Sequence, residues 1–408
     1  MKKIIKIFTC LIACIACLIA CLAFTGNMEF MSKNRKGLPK YVFLFIGDGM
    51  SYNNVALAES YLSYKSGKLG GEQLLFTSFP VHGSATSHSA DSRVTDSSAS
   101  GTAIACGSKT NNNMVGVAPD GNPLKSISYE LKDMGYNVGI ISSVPVNHAT
   151  PSAFYAHNKS RSDYYNITGQ IPSSGFDFFA GSGMIDYFGT KEDIKESSAK
   201  MLEDKGINVC FGIDEAEEAI RNNDRIVVCQ PYNQEKEAAN YDAGGEVPEG
   251  HITLSEFLQL GLEGLDDKEP FFIMCEGGDI DWAAHGQKTM PTIFSIIEFN
   301  KAIAVAYEFY MKHPDETLIV VTADHGTGGA SFSYEPRWKV MDSIWVASGK
   351  KNVLSGKENK AMNTENNIHW GTSGHTGEPV PVYAVGKGAE KFSGRIDNTD
   401  IKGKILGK

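Results

Sequence analysis

Cysteine is scarce in this 408-residue chain and half of it is crowded at the start: eight in all, four of them at positions 10, 14, 17 and 21. The remaining four are Cys106, Cys210, Cys229 and Cys275. Four cysteines allow three pairings. Of these we expect Cys210 with Cys229, which flank an irregular middle segment. Cys106 and Cys275 lie in apolar surroundings and read as small buried residues. Positive charge is also short, with 38 Lys and Arg against 48 Asp and Glu and a formal net charge of −10. Such a balance makes a poor nucleic-acid binder, because both partners are anionic. Beyond the first two dozen residues no run is long and apolar enough to span a bilayer. There is no G-x-S-x-G elbow, which disfavours a serine hydrolase triad. Internal repeats, low-complexity tracts and linkers that would split the body are missing too. The 42% hydrophobic and 21% charged composition argues against disorder.

What is present begins with a leader. Lys2, Lys3 and Lys6 precede an apolar run that reaches about Phe24, the pattern of a secretory signal. "LIAC" occurs at 11–14 and again at 18–21, and the second copy resembles a bacterial lipobox. We therefore expect residues 1–20 to be a lipoprotein-type signal peptide, Cys21 to carry lipid, and 21–38 to be a polar tether. A plain cleaved signal or an uncleaved anchor are the alternatives. Either route makes the protein exported, periplasmic or on the cell surface.

From about 39 to 408 the chain reads as one domain. Apolar strand-like runs recur at 41–47, 137–143, 225–229, 270–277, 317–324 and 381–386. Helical patterns lie between them at 97–106, 124–134, 191–204, 214–222, 253–264 and 291–312. Strands alternating with helices predict an α/β sandwich of three layers, with a mostly parallel sheet covered on both faces. Two stretches read as insertions, 230–250 and about 327–370.

Chemistry-bearing residues gather where the apolar runs end. "YVFLFIGDGM" finishes on Asp48 between two glycines. In open α/β sheets, ligands collect beyond the carboxyl ends of strands. A glycine-flanked Asp there is either a turn residue or a ligand to something held close to backbone. "VTDSSASGTAIACG" puts Ser97 at a helix start, as an N-cap or as a nucleophile facing an anion. "CEGGDIDWAAH" ends a strand on Glu276 and then spaces Asp281 and His285 at i, i+4, one face of a helix. That pair would form half of a catalytic zinc site. "LIVVTADHGTGG" ends on Asp324 and His325, and "SGHTGEP" carries His375 in a glycine-flanked loop. A single histidine of this kind is usually structural. Carboxylates and histidines recurring at several strand ends are not explained that way. Four carboxylates converging on an anionic substrate would repel it, so divalent cations are needed to reverse the sign of the site.

These motifs, in this order, resemble the alkaline phosphatases, which are metal-dependent phosphomonoesterases. The resemblance covers nearly all of 40–401. It implies that Asp281, His285 and His375 hold one zinc, and that Asp48, Asp324 and His325 hold a second, which activates Ser97. It implies a third ion, usually magnesium, on Asp48, Thr150 and Glu276. Arg161, in "NHATPSAFYAHNKSR", matches the arginine that grips phosphate oxygens. The implied product of attack is a phosphoserine on Ser97, and family members usually form homodimers. The substrates implied are small phosphomonoesters.

Two positions depart from part of the family. His148 stands where some bacterial members have aspartate, and Trp282 where they have lysine. Both lie on the substrate and third-metal side, so that metal's identity and the hold on phosphate are the properties they bear on. Other readings are a phosphodiesterase or sulfatase of the same superfamily, or a non-catalytic surface phosphate-binding protein. Ser97 lacks the C/S-x-P-x-R context of a sulfatase, a diesterase should lack a clamp like Arg161, and a decayed site should have lost a ligand.

Overall fold

Strand β1 (Tyr41–Gly47) is buried along its whole length because parallel strands flank it on both sides, β7 (Phe271–Gly277) and β8 (Thr317–Ala323). Its side chains meet the helix layers on both faces, which is why the run is apolar without alternation. The computed structural model describes residues 35–190, 192–233, 247–265, 269–348 and 356–408. The leader, the tether's first part and most of 230–250 lie outside them.

The other strands of the main sheet are β2 (Val81–Thr86), β3 (Asn137–Ser142), β4 (Phe178–Gly181), β5 (Asn208–Phe211), β6 (Ile226–Cys229), β13 (Val380–Gly386) and β14 (Gly394–Asp397). Four short strands complete the set: β9 (Gly326–Thr327) pairs with β12 (His375–Thr376), and β10 (Ala330–Phe332) with β11 (Ile368–Trp370). The ten-stranded sheet runs β14-β2-β13-β8-β1-β7-β3-β4-β6-β5, and β13 alone is antiparallel to its neighbours. This is the mostly parallel α/β architecture that the strand–helix alternation predicts.

Register places the chemistry. Ile46 of β1 pairs with Glu276 of β7, and Gly47 pairs with Gly277 on one side and Ala323 on the other. Asp48, Glu276 and Asp324 therefore emerge side by side at one edge of the sheet. Helix α1 (Tyr52–Ser66) follows β1, and α2 (Ser97–Cys106) starts at the candidate nucleophile. Helices α3 (Leu254–Leu265), α4 (Asp279–His285) and α5 (Thr289–Lys312) bracket β7.

The structure corrects several expectations. Cys210 and Cys229 are free buried thiols. They sit on adjacent strands, but Cys210 pairs with Val228 and Cys229 with Phe211. Successive side chains on a strand point to opposite faces, so this one-residue offset puts the two sulfurs on opposite sides of the sheet. The helix expected over 191–204 is shorter, Ser198–Glu203, capped by the Ser197 side chain. The 327–370 stretch, expected to be an insertion, has regular elements of its own. It carries α6 (Trp338–Ala347) and α7 (Gly356–Glu365), and α6 is tied to α1 by Trp338 Nε1 donating to Ser60 Oγ (3.0 Å) and Tyr61 OH to Asp342 (2.7 Å).

Candidate metal centre and nucleophile

Asp48 is the first residue beyond β1 and is fully buried, yet neither carboxylate oxygen has a hydrogen bond. Gly49 explains the glycine that follows it. Its φ is +68°, and a Cβ there would lie 2.6 Å from Thr327 Oγ1 and 2.9 Å from Asp281 Oδ1. Any side chain would be strained and would push into the cluster.

Asp324 uses one oxygen structurally, accepting from Gly49 N (3.1 Å) and His325 N (2.8 Å), while its Oδ2 has no hydrogen bond. His325 Nε2 lies 3.4 Å from Asp48 Oδ1, 3.2 Å from Asp324 Oδ2 and 3.2 Å from Ser97 Oγ. Asp48, Asp324 and His325 thus turn ligand atoms toward one point, with the Ser97 hydroxyl beside it. Ser97 is the first residue of α2, whose N-cap is Asp96, accepting from Ala99 N at 3.0 Å.

A second group is built on α4 and the β12 loop. The i, i+4 spacing brings His285 Nε2 within 3.3 Å of Asp281 Oδ2, and His375 Nε2 lies 3.1 Å from His285 Nε2. His285 Nδ1 donates to Ser373 O (2.6 Å), and His375 Nδ1 to Thr95 O (2.8 Å). Those bonds fix the tautomers and leave both Nε2 lone pairs facing each other. Two lone pairs held together beside a carboxylate are a donor set that fits a cation.

The third group is Asp48, Glu276 and His148. Ser142 Oγ donates a short hydrogen bond to Glu276 Oε2, while Oε1 has no partner. The Thr150 hydroxyl is buried near it without a formed hydrogen bond. His148 Nε2 faces Arg161 Nη2 (3.2 Å), and its Nδ1 is buried and unpaired. Its ring meets Trp282 edge-on at 5.5 Å.

Unpartnered buried oxygens are costly, and here they coincide with the residues that sequence motifs single out. Charge says the same. Burial, then the neighbouring Asp324, Asp281 and Glu276, pushes the Asp48 carboxyl well above its usual range. Burial also pushes up Asp324, and Glu276 to about 7. Burial would raise Asp281 as well, but the His285 hydrogen bond and the nearby imidazoles outweigh it and hold it low. Burial drives His325 down, keeping it neutral with lone pairs available. A carboxylate-rich pocket that resists its own ionisation is satisfied by divalent cations.

Two residues that hold the site were not singled out by sequence. Asp96 accepts from Arg161 Nη1 (3.0 Å), Ser98 Oγ (2.7 Å) and Asn113 N (3.1 Å), so one carboxylate aims the arginine and caps the nucleophile helix. Its place directly before Ser97 was the available signal. Thr327 Oγ1 donates to Asp281 Oδ1 (2.5 Å) and lies 3.3 Å from His325 Nδ1, joining two ligand groups.

The sequence profile described as "Alkaline phosphatase" matches residues 39–212, 246–354 and 331–406. The chain belongs to the alkaline phosphatase family. It is 30% identical to alkaline phosphatase 4 of Bacillus subtilis, over 90% of this chain and 88% of that one. Among solved structures, the alkaline phosphatase of the Antarctic bacterium TAB5 shares 29% identity with a TM-score of 0.73, covering 91% of this chain and 98% of that one. The cold-active enzyme of Shewanella sp. shares 27% with a TM-score of 0.77, covering 90% and 99%. This phosphatase is thus a metal-binding phosphomonoesterase, and its substrates are small phosphate monoesters.

Proposed function

We propose that this phosphatase works through a phosphoserine on Ser97, with two zinc ions and a magnesium ion bound at the carboxyl edge of the sheet. Asp281, His285 and His375 would hold one zinc, Asp48, Asp324 and His325 the other, and Asp48, Glu276 and Thr150 the magnesium. Bound there, the metals would supply charge neutralisation and Lewis acidity at the phosphate and lower the pKa of oxygens they touch. The observation that carries the reading is the set of buried ligand atoms left without hydrogen bonds beside the Ser97 hydroxyl.

Ser97 Oγ forms a bond to phosphorus as the ester P–O bond breaks, and the leaving oxygen departs as an alcohol after gaining a proton. Water then cleaves the phosphoserine, restoring Ser97 and releasing inorganic phosphate. Arg161 holds two non-bridging oxygens. Asp96 fixes one end of its guanidinium, which leaves other N–H donors free to point at the substrate. Burial and then Arg161 keep His148 neutral, with a pKa near 3. With Nε2 accepting from Arg161, its Nδ1 carries the proton, so it would face the third site as a donor rather than as a ligand. A relative in which a histidine is replaced by aspartate has been solved with magnesium in its M3 site. The wild-type imidazole here would hold that position more loosely than a carboxylate.

Export, a lipid on Cys21 and a homodimer complete the proposal. Among the described residues, which exclude the leader, no helix is long and apolar enough to cross a membrane. The test of the chemistry is hydrolysis of a phosphomonoester and a matched diester by the metal-loaded protein and by Ser97→Ala. Monoester preference with at least a ~10³-fold loss in the variant is expected. Diester preference, or an active variant, would contradict the mechanism.

A further inference from the structure

The loop that leads into Ser97 also forms one wall of an open cleft of about 510 Å³, lined by Arg93, Arg395, His88, Asp91 and a run of hydroxyls from Thr86 to Ser92. We propose that this cleft is an anion-binding subsite, which holds a second phosphate group carried by the leaving group of the phosphomonoester. The inference rests on the phosphatase reading above and names a substrate class for it.

Placement comes first. The cleft's other wall is Gly377 and Pro379, beyond His375 in the same loop. The two walls are pressed together near the metal ligands: His375 Nδ1 donates to Thr95 O, and a Cβ on Gly377 would lie 3.4 Å from Arg93 O. Sheet order fixes the span. Thr86 ends β2 and Asp397 ends β14, paired with each other, at the same edge where β8 delivers Asp324. From β8 the edge passes β13, then β2, then β14. At ~4.8 Å per strand the cleft is roughly 10–14 Å from Asp324 along the rim. That is the reach of a short flexible leaving group.

Charge comes second. Among the described residues the side chains of Arg93 and Arg395 make no hydrogen bond and no ion pair, although the Arg395 backbone pairs with Ser84 in the sheet. Of the carboxylates around them, Asp397 is neutralised by Lys109, while Asp91 has only neutral donors, which leaves two arginines against one uncompensated carboxylate. Asp91 Oδ1 accepts from Ser89 Oγ (3.0 Å) and Asn112 N (2.9 Å). Asp397 is paired with Lys109 (3.0 Å), accepts from Thr86 Oγ1 (2.5 Å) and lies 3.7 Å from His88. In a chain of net charge −10, two uncommitted guanidiniums flanked by hydroxyls are a phosphate-recognising set.

The experiment compares the bisphosphate of an eight-carbon α,ω-diol with the matching alkyl monophosphate. The metal-loaded wild type is run beside Arg93→Ala, Arg395→Ala and the charge-keeping Arg395→Lys. The wild type should favour the bisphosphate in kcat/KM beyond the statistical advantage of its two equivalent ends, and lose that preference with added salt. Each alanine variant should lose about threefold of the preference, the scale of an exposed ion pair, with the monophosphate rate unchanged. Arg395→Lys should retain most of it. No preference in the wild type, or one that both alanine variants keep, would overturn the subsite while leaving the phosphatase mechanism intact. Failure of the wild type to hydrolyse either substrate would overturn both.

Discussion

The middle of the central sheet and its carboxyl edge are built from the same strands and obey opposite rules. In the middle, Phe43 and Phe45 of β1 are buried and met by other rings, with Phe45 against Phe299 at 5.9 Å. The β1 backbone there is paired with a parallel strand on each side. Past Gly47, Asp48 is buried as deeply and satisfied by nothing. The middle stabilises itself by burying apolar surface. The edge pays in desolvated carboxylates for a site that only cations complete.

Chelation should break the comparison most completely. The stripped protein should lose all detectable monoesterase activity, and its stability should become pH-dependent. Glu276 has a folded pKa of about 7 against an ordinary 4.5, chiefly through burial. A raised carboxyl favours the fold while protonated, so its contribution is full below about 4.5 and is lost as pH rises through about 7. Thermal melts of stripped protein should therefore fall over that window, and melts of loaded protein should not. A flat melt profile for the stripped form would show that the edge carboxylates are not strained.

Phe45→Ala attacks the other region. It should cost about 3–5 kcal/mol in denaturant unfolding while the folded fraction keeps its kcat. Loss of kcat in molecules that remain folded would mean that the middle and the edge are coupled. Thr327→Val keeps the shape of the side chain but removes the donor to Asp281. A drop of about 10–100-fold in zinc affinity is expected, with little change in melting of the stripped protein. Smallest is His148→Asp, which should tighten magnesium by about tenfold and leave zinc binding unchanged, as read by metal titration. Equal magnesium affinity would remove His148 from the third group.

The same contrast explains what could be read from sequence. β1, β7 and β8 were legible because continuous apolar runs suit strands buried on both faces. β2 was not, since "VHGSAT" lies near the sheet margin with mostly part-exposed residues. α1 was missed because its buried face includes Asn54 and Ser63, so no apolar stripe marks it. The candidate ligands stood out because carboxylates there end apolar strand runs. Asp96 and Thr327 were not, because they act by holding other side chains, and that depends on contacts across long sequence separations. The expected Cys210–Cys229 bridge failed on a one-residue register offset that spacing along the chain does not reveal.

The most direct test of the account is calorimetric titration of zinc into chelator-stripped protein, wild type beside Asp48→Asn. The account predicts tight binding of at least two ions by the wild type, with a rise in melting temperature and a clear weakening in the variant. A folded wild type that binds no zinc, or an Asp48→Asn protein that binds it equally well, would contradict it.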